Sequence, residues 1–296
     1  MIAPPIAGTL VRHRPNYRLR RSLTEAAALA LGVVVLIWTL VPIYNIVMVA
    51  LQPHGDVFTN DIWPANASFE SFWIVVTEGY WYLEHFWQQF GNSLYVGVAT
   101  VILTLAIGSL ASFSIGRIRF RYGWVVSNAA LLTYVIPASF LAIPFYRIMH
   151  IYGLSNNLWS VIAAEVTFAT PYAIFIFHQY GVSIPIELDE AARIDGASPI
   201  QIYFRVYLPL MAPALVAIGT YALLLAWNEY LYQFLLLSSK RSMTVPVALA
   251  QFLNSDEAPW NYMMATAIVY ALPPVAIYYA FRRRMTAGLV MGSVKG

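Results

Sequence analysis

The 296-residue chain contains no cysteine. That excludes disulfides, thiolate metal sites and thiol nucleophiles together. Lysine is almost as scarce: only Lys240 and Lys295 occur, and neither stands in a G-x-x-x-x-G-K pattern, so the chain is not expected to hydrolyse nucleotide itself. Asp, Glu, Lys and Arg together make up 10% of residues, against about 25% in soluble domains. His13, His54, His85, His150 and His178 are scattered without metal-ligand spacing, and no Ser, His and acid form a nucleophile constellation. No catalytic residue, metal site or cofactor is therefore assigned to this chain.

What the chain has instead is apolar residues, 60% of the total, gathered into blocks. A run of roughly 20 residues crosses a bilayer as a helix. Six such blocks occur, at about residues 27–50, 93–116, 124–147, 159–180, 211–236 and 263–281. The runs are continuous rather than alternating, which selects helices over a barrel. The expected fold class is all-α: a polytopic membrane protein with six transmembrane helices and membrane lipids as its surroundings. The first block follows arginines as a secretory signal would. Its apolar run exceeds the roughly 7–15 residues of a signal core, however, and ends in Asn45-Ile46-Val47-Met48 without a small-x-small site, so it reads as a retained span.

The basic residues fix an expected orientation. Arg12, Arg14, Arg18, Arg20 and Arg21 precede the first span, and Arg117, Arg119 and Arg121 lie between the second and third. Arg193 and Arg205 lie between the fourth and fifth, and Arg282, Arg283, Arg284 and Lys295 follow the sixth. Fourteen of the 17 basic residues thus fall on one side, while loop 51–92 carries Asp56, Asp61, Glu70, Glu78 and Glu84 with no Lys or Arg. By the positive-inside rule, both termini and the 181–210 loop are expected in the cytoplasm. Residues 1–25 then form a basic cytoplasmic segment and 26–296 the six-helix membrane domain. The formal net charge of +3 follows from this placement and does not point to nucleic acid.

Loop 181–210 is a polar island in this apolar chain. Pro185 suits a first helical turn, and Glu187, Asp189 and Glu190 favour the positive end of a helix. Ile184, Leu188, Ala191 and Ala192 recur at helical spacing as one apolar stripe, with Glu187, Glu190 and Ile194 on another face. Gly196 ends this helix. Ser198-Pro199 starts the next, where Ile200, Tyr203, Phe204 and Tyr207 keep helical spacing. Pattern alone leaves two readings, a connector lying on the membrane surface or a surface that meets a partner.

The spacing Glu190-Ala191-Ala192-x3-Gly196-x9-Val206-x-Leu208-Pro209 resembles the signature loop of permease subunits of binding-protein-dependent ABC importers, with Val206 where that pattern carries Ile. Trp227-Asn228-Glu229-Tyr230, Thr244-Val245-Pro246-Val247, Met285-Thr286-Ala287-Gly288 and the ending Val294-Lys295-Gly296 are similar to the carbohydrate-type, MalG-like half. The likeness covers roughly residues 85–296. It implies a coupling helix that docks in a groove of a cytoplasmic ATPase. Glu190 would face a basic residue there, Ala191 and Ala192 would permit close approach, and Gly196 would supply the turn; Asp195, Leu208 and Pro209 complete the ATPase-coupling positions. The implied partners are a second homologous permease subunit, two ATPase subunits that hold ATP and Mg, and a periplasmic or lipid-anchored sugar-binding protein. The implied location is the bacterial inner membrane, and the chain would form half of a sugar translocation pathway. In such subunits the loop corresponding to 237–262, here with Lys240, Arg241, Asp256, Glu257 and Trp260, probes the docked binding protein. A plain solvated connector is the other reading of that loop.

Within the spans, Glu165, Asn228 and Glu229 are expected in the substrate pathway, since an acid at mid-bilayer costs about 2.5–3.5 kcal/mol and usually faces a cavity or partner. Alternatively, Glu165 pairs with a neighbouring helix and Glu229 sits near the outer interface. Trp227, Tyr230 and Tyr232 supply aromatic faces close by. Pro137, Pro144, Pro171, Pro213, Pro273 and Pro274 lie in or beside spans, where kinks are tolerated and no specific role is assigned. An ion-gradient-driven secondary transporter is the alternative function, but it should carry broken helices, internal repeats and its own coupling-ion site.

Overall fold

The structure is a computed structural model that describes residues 17–53, 62–118, 122–254 and 259–293. Arg12, Arg14, Asp56, Asp61, Arg119, Arg121, Asp256, Glu257 and the ending Val294-Lys295-Gly296 lie outside them. The described residues form helices and no strand. In lipid a helix satisfies its backbone groups within the segment, which is why continuous apolar runs fold this way.

Helix α1 spans Tyr17–Ala50, so the last part of the basic segment 1–25 is already helical. An exposed ion pair, Arg21 to Glu25 at 2.9 Å, sits on its early turns. Helix α2 (Glu70–Val76) lies in the following loop, and α3 (Phe86–Gly116) is a single long rod. The third apolar block is not one rod. Helix α4 (Gly123–Leu132) passes through a 3-10 turn and stops before α5 (Ala138–Ile151), and the two halves meet at 96°. The cause is Pro137: Ile136 before it is extended (φ −88°, ψ 119°), as the clash with a proline ring demands. Helix α6 (Leu158–Val182) runs intact through Pro171.

The connector after α6 holds α7 (Glu187–Ile194), α8 (Pro199–Ile202), a π turn over Tyr203–Tyr207 and α9 (Leu208–Leu210). Helix α10 (Ala212–Asn228) leaves this stretch at 78° and stops early, so the fifth block is also broken, with α11 (Leu231–Leu236) after the gap. Helices α12 (Val245–Gln251) and α13 (Trp260–Ser293) complete the chain. Among the described residues four helices are long and apolar enough to cross a membrane, or six if each bent pair is one span.

The centre is α3 against α6 and α10. Small residues on α3 allow this. A Cβ added to Gly108 would lie 3.0 Å from the Cβ of Ala173, and one on Gly97 would lie 2.9 Å from Leu223. Such close approach is how helices associate where lipid removes the hydrophobic drive. The core divides along the axis into clusters around Phe86 and Trp227, around Ile162 and Tyr232, and around Phe177 and Tyr207. Helix α1 stays largely bare, with Trp38 79% exposed.

Candidate functional site

The connector is fastened to the helix bundle by one buried cation. Arg117, at the C-terminal end of α3, places Nε 3.3 Å from Oδ2 of Asp189 on α7; the two side chains are 5% and 1% exposed. Its Nη2 donates to the carbonyls of Gly181 (3.2 Å), which also accepts from the Ile184 N–H (3.2 Å), and of Ile184 (2.9 Å), just past the end of α6. The guanidinium also lies 5.7 Å from the ring centre of Tyr207. Farther along, the hydroxyls of Tyr203 and Tyr207 pair with Ser109 (2.7 Å) and Ser112 (2.9 Å) of α3.

This arrangement corrects the expected face of α7. Asp189 is buried and Ala192 half-buried, whereas Leu188 is 44% exposed and Ala191 is exposed. Ile184 and Ala192 of the expected stripe do pack inward, and beside them the inner position is taken by Asp189 rather than by Leu188 or Ala191. Glu187, Glu190 and Ile194 do point outward, with Ile194 86% exposed. The next helix splits in the same way: Tyr203 and Tyr207 are buried, while Ile200 and Phe204 are exposed.

Gly196 forms the break, at φ +84°, the left-handed region that a residue with a side chain resists. Asp195 caps the end of α7 and is exposed. Ser198 and Gln201 form a reciprocal capping box, with Pro199 in the first turn of α8. Leu208 is half-buried against the inner cluster, and Pro209 is exposed. Between α7 and the end of α3 lies a cavity of about 520 Å³, lined by Phe113, Arg117, Ile118, Ile186, Asp189, Glu190, Arg193 and Pro199.

The second constellation is the break between α10 and α11. Glu229 is extended, and its carboxylate accepts from the backbone N–H groups of Tyr232 (3.0 and 3.1 Å) and Gln233 (3.1 Å). It thereby caps the N-terminal end of α11, where anions are favoured. Gln233 donates to the carbonyl of Ala226 (3.0 Å) and accepts from Thr244. Asn228 is exposed and donates to the carbonyl of Leu224 (2.8 Å). Glu165 is 1% exposed in the same middle layer, and neither of its oxygens has a hydrogen-bond partner among the described residues. Glu165 therefore lies inside the helix contacts, separate from the exposed Asn228.

The loop after α11 is laced down. Asn156, at φ +53°, accepts on Oδ1 from Ser238 N (2.9 Å), Ser239 N (3.1 Å) and the Ser242 hydroxyl. Gln89 and Asn92 of α3 donate to the carbonyls of Lys240 (3.0 Å) and Arg241 (2.8 Å). The ammonium of Lys240 rests 5.9 Å from the Trp81 ring. Sequence reasoning did not single out Arg117, Asp189, Gln233 or Asn156 as anchors. The clue available for Asn156 was its place in the polar run Ser155-Asn156-Asn157 between two apolar blocks.

Residues 105–289 match the family described as "Binding-protein-dependent transport system inner membrane component". The chain belongs to this family. The match takes in the Arg117 junction, the connector and the helix break. The permease is also 31% identical over 261 residues to the trehalose transport system permease protein SugB of Mycobacterium tuberculosis, covering 88% of this chain and 93% of that protein. It is 30% identical over 259 residues to the arabinooligosaccharides transport system permease protein AraQ of Halalkalibacterium halodurans, covering 86% and 91%. A crystal structure of a bacterial ABC transporter involved in the import of the acidic polysaccharide alginate contains a chain of the same fold. It has a TM-score of 0.75 and 22% identity, and the match covers 91% of this permease and 99% of that chain. The permease is thus a multi-pass membrane subunit of an ABC importer.

Proposed function

We propose that this permease forms half of a sugar pathway in the inner membrane of a bacterium and couples it to ATP hydrolysis by separate subunits. The carrying observation is α7 itself: its buried Asp189 anchors the inner side, which leaves Glu190 and Ile194 outward for an ATPase. Sugars are the substrate class in the names of both relatives, trehalose in one and arabino-oligosaccharides in the other. In this reading the chain crosses six times with both termini in the cytoplasm, a topology supported by the bias of basic residues to one side. A second homologous permease completes the pathway. Two ATPase subunits hold ATP and Mg, and a sugar-binding protein docks outside, where loop 237–262 meets it. In this reading Asn228 and Glu229 line the polar path at the helix break, with Glu165 behind them. Broken helices were the mark expected of a gradient-driven carrier, but family membership favours the importer.

The test reconstitutes the permease with its co-expressed partner subunits in proteoliposomes. Uptake from a panel of labelled di- and oligosaccharides should need ATP, the ATPase subunits and the binding protein. Uptake that survives without the ATPase subunits and collapses with a protonophore sinks the proposal. Topology is checked in the same strains: Asn60→Cys should label from the periplasm and Arg193→Cys should not.

A further inference from the structure

We propose that Arg117 and Asp189 are positioning residues, a buried tie through which α7 moves as one body with the ends of α3 and α6. Displacement of α7 by an ATPase is then carried into the transmembrane helices rather than lost in the connector. The role rests on the docking of α7 proposed above.

The first ground is where the charge lies. A connector resting on a membrane or a partner needs only apolar contacts to stay folded, and Leu188 was available for them. Instead Leu188 is 44% exposed and a carboxylate takes the inner position, 1% exposed. A buried ion pair is a weak source of net stability, because desolvation offsets much of the attraction. What it supplies over methyl groups is a shared anchor: the guanidinium that meets Asp189 through Nε at 3.3 Å also holds two backbone carbonyls through Nη2, so α7 cannot shift without drawing its carboxylate away from that cation.

The second ground is how many segments converge on Arg117. It starts on α3, holds two carbonyls at the end of α6, pairs with Asp189 on α7 and lies over Tyr207 of the π turn. Both entry and exit of the connector are therefore fixed to one side chain. The exit is reinforced, because the Tyr207 hydroxyl bonds Ser112 and sits so close to Gly181 that an added Cβ would lie 2.7 Å away. The open point between these anchors is Gly196, where an added Cβ would meet nothing within 4 Å. A push on α7 then reaches α3 through Arg117 before it can be absorbed at the glycine.

The test uses the assembled transporter in nanodiscs with ADP–vanadate trapping. Spin labels at Ile194→Cys and Leu110→Cys, both exposed positions, report the distance across the tie. Asn228→Cys reports the helix break through its labelling rate with an impermeant maleimide. With the tie intact, the Ile194–Leu110 distance should be single and narrow with and without nucleotide, and trapping should change the Asn228→Cys rate. Asp189→Asn keeps the shape and removes the charge. It should broaden the distance and shrink the nucleotide-dependent change about tenfold, within the usual range of coupling between sites. A benzophenone on Ile194→Cys should meanwhile still cross-link to the ATPase.

Arg117→Lys, which keeps the charge and loses the separate Nε and Nη2 contacts, should give the same pattern at smaller size, and it serves if Asp189→Asn fails to insert. A narrow distance with an unchanged nucleotide response in these variants overturns the tie. So does a broadened distance with an unchanged response. If Ile194→Cys does not cross-link to the ATPase even with the tie intact, the docking reading fails, whatever the distance shows.

Discussion

Trp227 and Tyr270 stack with ring centres 4.6 Å apart and planes 14° from parallel, and each donates a hydrogen bond to the other's carbonyl. The exchange has a cause in the helix break. Helix α10 stops at Asn228, so the Trp227 carbonyl has no donor four residues on, and the Tyr270 hydroxyl supplies one at 2.7 Å.

Tyr270→Phe keeps the stack and deletes that donor. It should destabilise the protein by about 1–3 kcal/mol, the penalty of an unpaired buried acceptor. Tyr270→Ala should be worse, at about 3–5 kcal/mol for losing a buried ring. Unfolding in detergent, followed by tryptophan fluorescence, compares the two. A Tyr270→Phe protein as stable as the parent would mean that the carbonyl has found another partner.

Glu229 caps α11, so Glu229→Gln, which keeps an acceptor in place, should fold almost normally. Glu229→Ala should lose about 0.5–2 kcal/mol, the usual range for a lost cap. If Glu229 also lines the sugar path, Glu229→Gln should slow uptake while its melting curve stays put. Normal uptake by that variant removes Glu229 from the path.

Glu190 and Glu187 are both exposed on α7, but only Glu190 belongs to the signature loop. Removing one member of a partly buried interfacial charge pair costs about 2–5 kcal/mol, against about 0–1 for an exposed pair. Glu190→Lys should therefore abolish ATPase pull-down and uptake at normal membrane levels, with Glu187→Lys milder. Equal behaviour of the two variants would deny Glu190 its special position.

Gly196→Val should impair assembly, because a residue with a side chain pays about 1–2 kcal/mol in the left-handed region and branching at Cβ adds to this. Gly196→Asn, which tolerates that region, should assemble far better. An added Cβ meets no atom within 4 Å in this chain, so the backbone conformation is the expected source of a difference between them. Pull-down of the ATPase by each variant decides it.

The sequence made some of this legible and hid the rest for identifiable reasons. Gly196 and Ser198-Pro199 marked the turn between α7 and α8 because their backbone preferences are local. The apolar blocks located every long helix. Pro137 lay in view, yet a proline inside an apolar run leaves open whether the helix bends slightly or turns through 96°. The break at Glu229–Tyr230 has neither Pro nor Gly, and it exists because Glu229, Gln233 and Tyr270 together satisfy the freed backbone groups. Arg117 and Asp189 each had a sufficient local explanation, one as a basic residue flanking a span and the other as an acid at a helix start. Their pairing depends on α3 and α6 lying side by side, which no local pattern encodes.

Asn156 gathers three donors of the 238–242 loop onto one oxygen, while Gln89 and Asn92 hold the loop's far side. That loop has given up its conformational entropy at folding rather than at docking. A protein landing there avoids much of the ordering penalty, about 0.5–1.5 kcal/mol for each immobilised side chain. Association would then be limited by encounter and orientation, not by rearrangement of the landing surface. The amides of residues 238–242 should accordingly exchange with deuterium as slowly before a partner arrives as after it.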